Sequence, residues 1–170
     1  VGVGLDSYDS IGIDGIILTG GNDLSLFCND KVSKIRDTHE YDCIKYSIEN
    51  SIPIFGVCRG MQLIAEYFDC TLKKVENHAN RIHKIKTINK SNDFKYIRKL
   101  DKVNSYHNYA IDNLSSEFSI VSISKDDNIE AITHKKYKIF AQMWHPERSL
   151  AFDNYNKKHL SDFFNDNTEG

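Results

Sequence analysis

Proline occurs only twice in the 170 residues, tryptophan once, and the four cysteines contain no CxxC pair. Each scarcity excludes something. With no Pro-rich stretch to act as a linker and no internal repeat, a single domain is expected, and 170 residues suffice to bury a sizeable core. Cys28, Cys43, Cys58 and Cys70 lack the paired spacing of a redox or zinc motif, and no secretory signal is visible, so a disulfide framework is not expected. No apolar run approaches the ~20 residues of a membrane span, which makes a membrane-free, cytoplasmic protein the simplest expectation. Excess charge is also missing. A net charge of -2 leaves no basic footprint for nucleic acid, and 27% charged with 40% hydrophobic residues is ordinary for a globular domain.

What the chain does contain is Gly56-Val57-Cys58-Arg59-Gly60, set between an apolar run (Ile52-Pro53-Ile54-Phe55) and a segment with helical spacing (Met61, Ile64, Ala65, Phe68). That order predicts a strand, a tight turn and a helix with Cys58 at the tip, the layout of a G-x-S-x-G nucleophile elbow with Cys in place of Ser. Small residues at 56 and 60 would let strand and helix approach closely. A thiol at a helix N-terminus meets unpaired N–H groups and the macrodipole, which favour a thiolate, and the Arg59 N–H can face an oxyanion. The competing reading is a buried cysteine between two packing glycines.

A thiol nucleophile needs a base and a group that orients the base. Trp144-His145-Pro146-Glu147-Arg148 follows the apolar run Ile139–Met143. Residues two apart on an extended strand end face the same way, so Glu147 can fix the tautomer of His145. Pro146 stiffens the link and ends sheet pairing. A surface histidine beside a loop acid is the alternative.

Along the chain, strands are expected at Ile13–Thr19 and Ile52–Val57 and helices at Asp37–Asn50 and Arg59–Phe68, an order that argues a parallel sheet with helices on its faces. Asp37 and Glu40 have capping-box spacing, which places the first helix start at Asp37. The second half reads as β-rich, with runs at Ile85–Ile88, Lys102–Tyr106, Ser119–Ser124 and Ile129–Thr133 and a hairpin at His134-Lys135-Lys136 leading into Tyr137–Met143. Residues 89–93 read as a loop, Tyr155–Asn165 as an amphipathic helix, and Asp166–Gly170 as a frayed tail. Cys43 and Cys70 read as packing residues.

The Gly-x-Cys-x-Gly elbow followed late in the chain by His-Pro-Glu resembles the class I glutamine amidotransferases, and more specifically their γ-glutamyl hydrolase branch, peptidase family C26. Four further segments carry the resemblance in the family's order: Asp14–Asp23 with its Gly20-Gly21 turn, Arg36-Asp37-Thr38-His39-Glu40, Val103–Asn108, and Ile129-Glu130-Ala131. The resemblance implies a doubly wound, mostly parallel, flavodoxin-like sheet with helices on both faces. It implies Cys58 as nucleophile, His145 as general base and acid, Glu147 as the orienting carboxylate, and N–H groups of Gly21 and Arg59 as oxyanion hole. Gly20, Arg36, Asp37, Gln62, Asn104, Ser105 and His107 would border the glutamyl pocket. Arg59 has two readings, a contact to the substrate carboxylate or a pair with a surface acid. The family also places a strand and helix ahead of the Asp14-Gly15 strand, whereas this chain starts at Val1, so an N-terminal βα unit is expected to be missing and the segment to be unstable alone.

The function implied is hydrolysis of a γ-glutamyl amide through a thioester, without cofactor. The short length and the strings Gly-Gly-Asn-Asp-Leu-Ser and Trp-His-Pro-Glu-Arg look most like small hydrolases of γ-glutamyl-CDP-amidate in capsule polysaccharide modification. A small-molecule γ-glutamyl substrate is the expected partner, with room for a homodimer. A glutaminase subunit feeding ammonia to a synthase partner is the alternative, and a non-catalytic binding protein the third reading, opposed by the intact Cys58, His145 and Glu147. A metal site is not expected: His78 and His83, five apart, suit neither a helix face nor one strand face, and no third ligand is near them in sequence.

Overall fold

A computed structural model describes residues 12–148 and 154–165. Seven strands form one sheet: β1 (Ile16–Leu18), β2 (Ile54–Val57), β4 (Arg81–Thr87), β5 (Lys102–Ser105), β7 (Phe118–Ser124), β8 (Ile129–His134) and β9 (Ile139–Gln142), in spatial order β1-β2-β9-β8-β7-β4-β5. Two strands form a separate antiparallel pair, β3 (Thr71–Lys74) and β6 (Tyr109–Asn113). Among the described residues three α-helices complete the fold: α1 (Lys31–Glu49), α2 (Arg59–Tyr67) and α3 (Asn154–Asn165).

The expected α/β class is observed, with helices on both faces. Parallel pairing is confined to β1, β2 and β9, and the β-rich second half extends it antiparallel, so the sheet is mixed. Short connections explain this, because a tight hairpin can only return a strand antiparallel. His134 closes one such hairpin: its Nδ1 accepts from the N–H groups of Lys136 (3.0 Å) and Tyr137 (2.9 Å).

Strand alternation divides the interior into two layers. Ile54 of β2 and Ile139 and Ala141 of β9 face a core shared with Ile44 of α1 and Met61, Leu63 and Ile64 of α2. Phe55, Val57 and Phe140 face the other way, against Phe94, Ile97 and the apolar side of α3. Phe163 meets Phe55 edge-on, with centroids 5.5 Å apart. Burying each such ring contributes about 1.5–3 kcal/mol.

Helix α1 begins six residues earlier than expected, which corrects the reading of Asp37. Its N-cap is Asp30, whose carboxylate accepts from the Ser33 N–H at 2.9 Å. Asp37 and Glu40 are interior and buried. The spacing misleads because three residues is one helical turn: D-x-x-E serves a capping box or places two acids on one face. Strands β3 and β6 had no clear signal, since the exposed Thr-Leu-Lys-Lys alternation is short and polar. The expectations for the N-terminal unit and for the tail at 166–170 fall on residues 1–11 and 166–170, outside the described ones.

Buried His159 on α3 lies against the Phe140 ring at 4.5 Å. Burial depresses its pKa to about 4, against about 6.5 for a free imidazole. A base held neutral in the fold contributes stability that is fully present above 6.5 and is lost as pH falls through 4. The expected loss across that window is about 3 kcal/mol. Urea midpoints at pH 7 and pH 4.5 for wild type and His159→Phe check it, the variant showing the smaller decline.

Candidate active site

Cys58 sits where β2 passes into α2, with φ 52° and ψ -103°. That backbone is unfavourable for a residue with a Cβ and is held by its surroundings. Its N–H donates to the Gln142 carbonyl of β9 at 2.7 Å, and its own carbonyl accepts from the Gln62 N–H at 3.1 Å. The flanking glycines are sterically required. A Cβ on Gly56 would come within 2.7 Å of Ile64 Cδ1, and one on Gly60 would overlap the Leu18 carbonyl of β1. The elbow read from the sequence is therefore formed.

The thiol is not poised as expected. Burial pushes Cys58 up to about 11, with smaller upward effects from Glu147 and Glu130; the Arg59 N–H on the sulfur and the Arg148 charge only partly oppose it. Desolvation thus outweighs the helix terminus and favours the protonated thiol of Cys58 at neutral pH.

His145 follows the end of the adjacent strand. Strands β2 and β9 are parallel neighbours in the register Val57↔Gln142, so Cys58 and the Met143–His145 segment leave the same edge of the sheet, the carboxyl end where α/β sites form. His145 is 2% exposed, and its Nδ1–H donates to Glu147 Oε1 at 2.6 Å, fixing the tautomer. The backbone of His145 is clamped by Asn104, whose Oδ1 accepts from the His145 N–H (2.8 Å) while its Nδ2 donates to the His145 carbonyl (2.6 Å). The imidazole rests on Gly20, where any Cβ would overlap ring carbon Cε1. Gly20→Ala is expected to displace the ring and lower kcat about 10²-fold in a protein that still folds; circular dichroism and initial rates check this.

Most residues expected to border the substrate make hydrogen bonds that hold this edge in place. Buried Arg59 is gripped by both Asp37 and Glu40 of α1, which replaces the reading of Asp37 and Glu40 as a helix cap and of Arg59 as a substrate contact or surface pair. Asp37 also accepts from the Ser25 N–H at 2.7 Å. Arg36 donates to Glu40 Oε1 at 2.8 Å and to the carbonyls of Thr19 (2.9 Å) and Gly20 (3.2 Å), and a Cβ on Gly21 would overlap its guanidinium. One ion cluster therefore ties α1 to both the elbow and the Gly20-Gly21 turn. Gln62 donates to the Tyr109 carbonyl at 3.0 Å, Ser105 to the His78 carbonyl, and His107 Nδ1 to the Tyr109 carbonyl at 3.1 Å.

Two rim residues belong to quoted segments, Tyr106 to Val103–Asn108 and Arg148 to Trp144–Arg148. Tyr106 meets the His145 ring edge-on at 5.8 Å, and the Arg148 guanidinium lies over the Tyr106 ring at 4.6 Å. A cavity of about 370 Å³ opens beside them, lined by Thr19, Gly20, Gly21, His145, Glu147 and Arg148 among others. The histidines held the larger surprise. Glu130 and His107 join His78 and His83 in the fold, although neither is near them in sequence. A lone acid inside the apolar run Ile129–Ile132 was the available signal.

Comparison with known proteins agrees with this geometry. Residues 10–147 match the peptidase C26 family model. The chain is 39% identical over 148 residues to the γ-glutamyl-CDP-amidate hydrolase of Campylobacter jejuni, covering 87% of this chain and 69% of that protein. It is 30% identical over 146 residues to a glutamine-hydrolysing GMP synthase subunit of Thermoplasma acidophilum, covering 84% and 68% respectively. A solved structure from Thermoplasma acidophilum, also of a GMP synthase subunit, superposes with a TM-score of 0.75 at 25% identity, covering 94% of this chain and 75% of that one. A glutamine amidotransferase structure from Thermotoga maritima shares the fold at a TM-score of 0.65 and 16% identity, covering 86% of this chain and 62% of that one. With a glutamine amidotransferase fold, a built cysteine elbow and a match over most of its length, the chain belongs to the peptidase C26 family, hydrolases acting on amide C–N bonds.

Proposed function

We propose that this protein hydrolyses a γ-glutamyl amide with Cys58 as nucleophile, His145 as general base and acid, and Glu147 as the orienting carboxylate. The observation that carries the reading is the strained Cys58 elbow at the end of β2 beside a His145–Glu147 pair at the end of adjacent β9. His145 Nε2 takes the proton from Cys58 as the sulfur attacks the γ-carbonyl. The N–H groups of Arg59 and Gly21 hold the resulting oxyanion. Collapse breaks the C–N bond, and the amine leaves with the proton from His145. Water, deprotonated by His145, then opens the γ-glutamyl thioester, and glutamate and the free thiol result. His145 is the essential relay because burial keeps Cys58 protonated.

The substrate we favour is γ-glutamyl-CDP-amidate, giving glutamate and cytidine diphosphoramidate for capsule polysaccharide modification. Support comes from the 39% identity to the Campylobacter jejuni enzyme. The rim adds an aromatic face and a guanidinium (Tyr106 and Arg148), suited to a nucleotide leaving group. Likeness to the GMP synthase subunit favours a second reading, a glutaminase that supplies ammonia to a synthase. Among the described residues no helix is long and apolar enough to cross a membrane.

The test is glutamate release from glutamine, γ-glutamyl-aminobutyrate and γ-glutamyl-CDP-amidate. Fast release from the nucleotide conjugate with glutamine slow is the expected result. Preference for γ-glutamyl-aminobutyrate would overturn the substrate. Turnover of glutamine alone, and only with a synthase added, would establish the second reading.

A further inference from the structure

Behind the Cys58 edge, four elements bring four nitrogen and oxygen donors together. His78 lies in the loop after β3, His83 on β4, His107 between β5 and β6, and Glu130 on β8. Glu130 is fully buried, and His78 and His107 nearly so. Glu130 Oε1 lies 3.7 Å from His78 Nδ1, 3.6 Å from His83 Nε2 and 3.6 Å from His107 Nε2. All four of these atoms are buried without a hydrogen-bond partner. One ligand atom each from His78, His83 and Glu130 also lie within 4.8 Å of one another.

The outer hydrogen bonds decide which ring nitrogens face inward. His107 Nδ1 donates to the Tyr109 carbonyl (3.1 Å), so in a neutral ring Nε2 presents a lone pair toward Glu130. His78 Nε2 is 2.9 Å from the Asp126 carboxylate, which leaves Nδ1 facing Glu130 in the same way. Lone pairs aimed at a buried carboxylate across 3.6–3.7 Å repel unless a cation lies between them. These separations are close to the edge of a tetrahedron with zinc bonds of 2.0–2.1 Å, about 3.3–3.4 Å. A carboxylate on one histidine and a backbone carbonyl on another are also the usual outer partners of metal-bound imidazoles.

We propose that His78, His83 and Glu130, with His107 beside the same carboxylate oxygen, hold one divalent transition-metal ion of the zinc class. Imidazole-rich ligation selects such ions over magnesium or calcium. Its donors come from the β3–β4 loop, β4 and β8, so the ion's role is to lock those segments together beside the active edge. The inference does not depend on the proposed reaction.

The experiment uses the full chain, stripped with a chelator and then loaded with Zn2+ or Co2+. One Zn2+ per folded chain should survive gel filtration and elemental analysis, and it should raise the melting temperature by several degrees. Co2+ should give the intense visible bands of tetrahedral coordination. Glu130→Gln should weaken binding by at least ~100-fold, and Asp126→Asn by ~10-fold or more through the lost outer contact. If Glu130→Gln does not fold, His83→Ala at the partly exposed rim replaces it. Cys58→Ala should keep the ion. A folded wild-type protein holding less than about a tenth of an equivalent would overturn the site, and the cluster would then be held by protons. Loss of the ion in Cys58→Ala, with retention in Glu130→Gln, would equally overturn it by moving the metal to the thiol.

Discussion

Cys58→Ala is expected to lower γ-glutamyl hydrolysis by at least ~10⁴-fold while leaving the fold intact. Removing a nucleophile costs far more than removing a binding contact, because no covalent intermediate can then form. The truncation is small, and relief of the φ 52° backbone is not involved, since alanine carries the same Cβ. A control by circular dichroism should therefore match wild type. His145→Ala should lose activity to a similar degree, because the thiol held near 11 has no other route to a thiolate at neutral pH. Glu147→Gln should lose less, about 10²–10³-fold, since it orients the imidazole without touching the carbonyl carbon. Stopped-assay glutamate release with purified variants measures all three. Full activity in Cys58→Ala would sink the nucleophile assignment.

Arg59→Met is expected to destabilise the protein by about 3–5 kcal/mol, a drop of roughly 10 °C or more in melting temperature for a chain of this size. Arg59 is 1% exposed, and its guanidinium bridges Asp37 and Glu40 across the α1–α2 boundary. Deleting the guanidinium leaves two buried carboxylates, with Glu40 still held by Arg36 and Asp37 by the Ser25 N–H. Neutralising the acids together, as Asp37→Asn and Glu40→Gln in the Arg59→Met background, should recover part of the loss, because the large term is the unpaired charge. Turnover should fall as well. The Arg59 N–H lies at the sulfur, and the same side chain anchors that backbone. Urea denaturation of the single and triple variants separates the two contributions, and equal stability of Arg59→Met and wild type would show the cluster to be energetically neutral.

The elbow and the histidine–carboxylate pair were legible because each is local. Gly56, Cys58 and Gly60 must stand at those spacings for one turn to form, and Glu147 follows His145 by two residues, in the 3-10 turn Pro146–Arg148 beyond β9 rather than on the extended strand end expected. The order of strands and helices in the first half was readable for the same reason, since periodicity is a property of a short window. The start of α1 was not, because Asp37 and Glu40 satisfy the same spacing whether they cap a helix or face an arginine on another one. The antiparallel β3–β6 pair was not, because its Thr-Leu-Lys-Lys strand is largely exposed and buries too little to leave a pattern.

What the sequence by itself determined, then, is the chemistry that one turn can hold: a cysteine at a tight bend, and a base with its carboxylate. The tertiary structure alone decided what those groups meet. It joined β2 to β9 so that the two motifs share an edge. It buried Cys58 deeply enough to reverse the expected ionisation. It gave Arg36, Asp37 and Asn104 partners within the fold, and drew His78, His83 and His107 from separate elements around the Glu130 carboxylate. Pair spacing within a turn is set by local backbone geometry, whereas burial and long-range partners exist only after the sheet has closed over them.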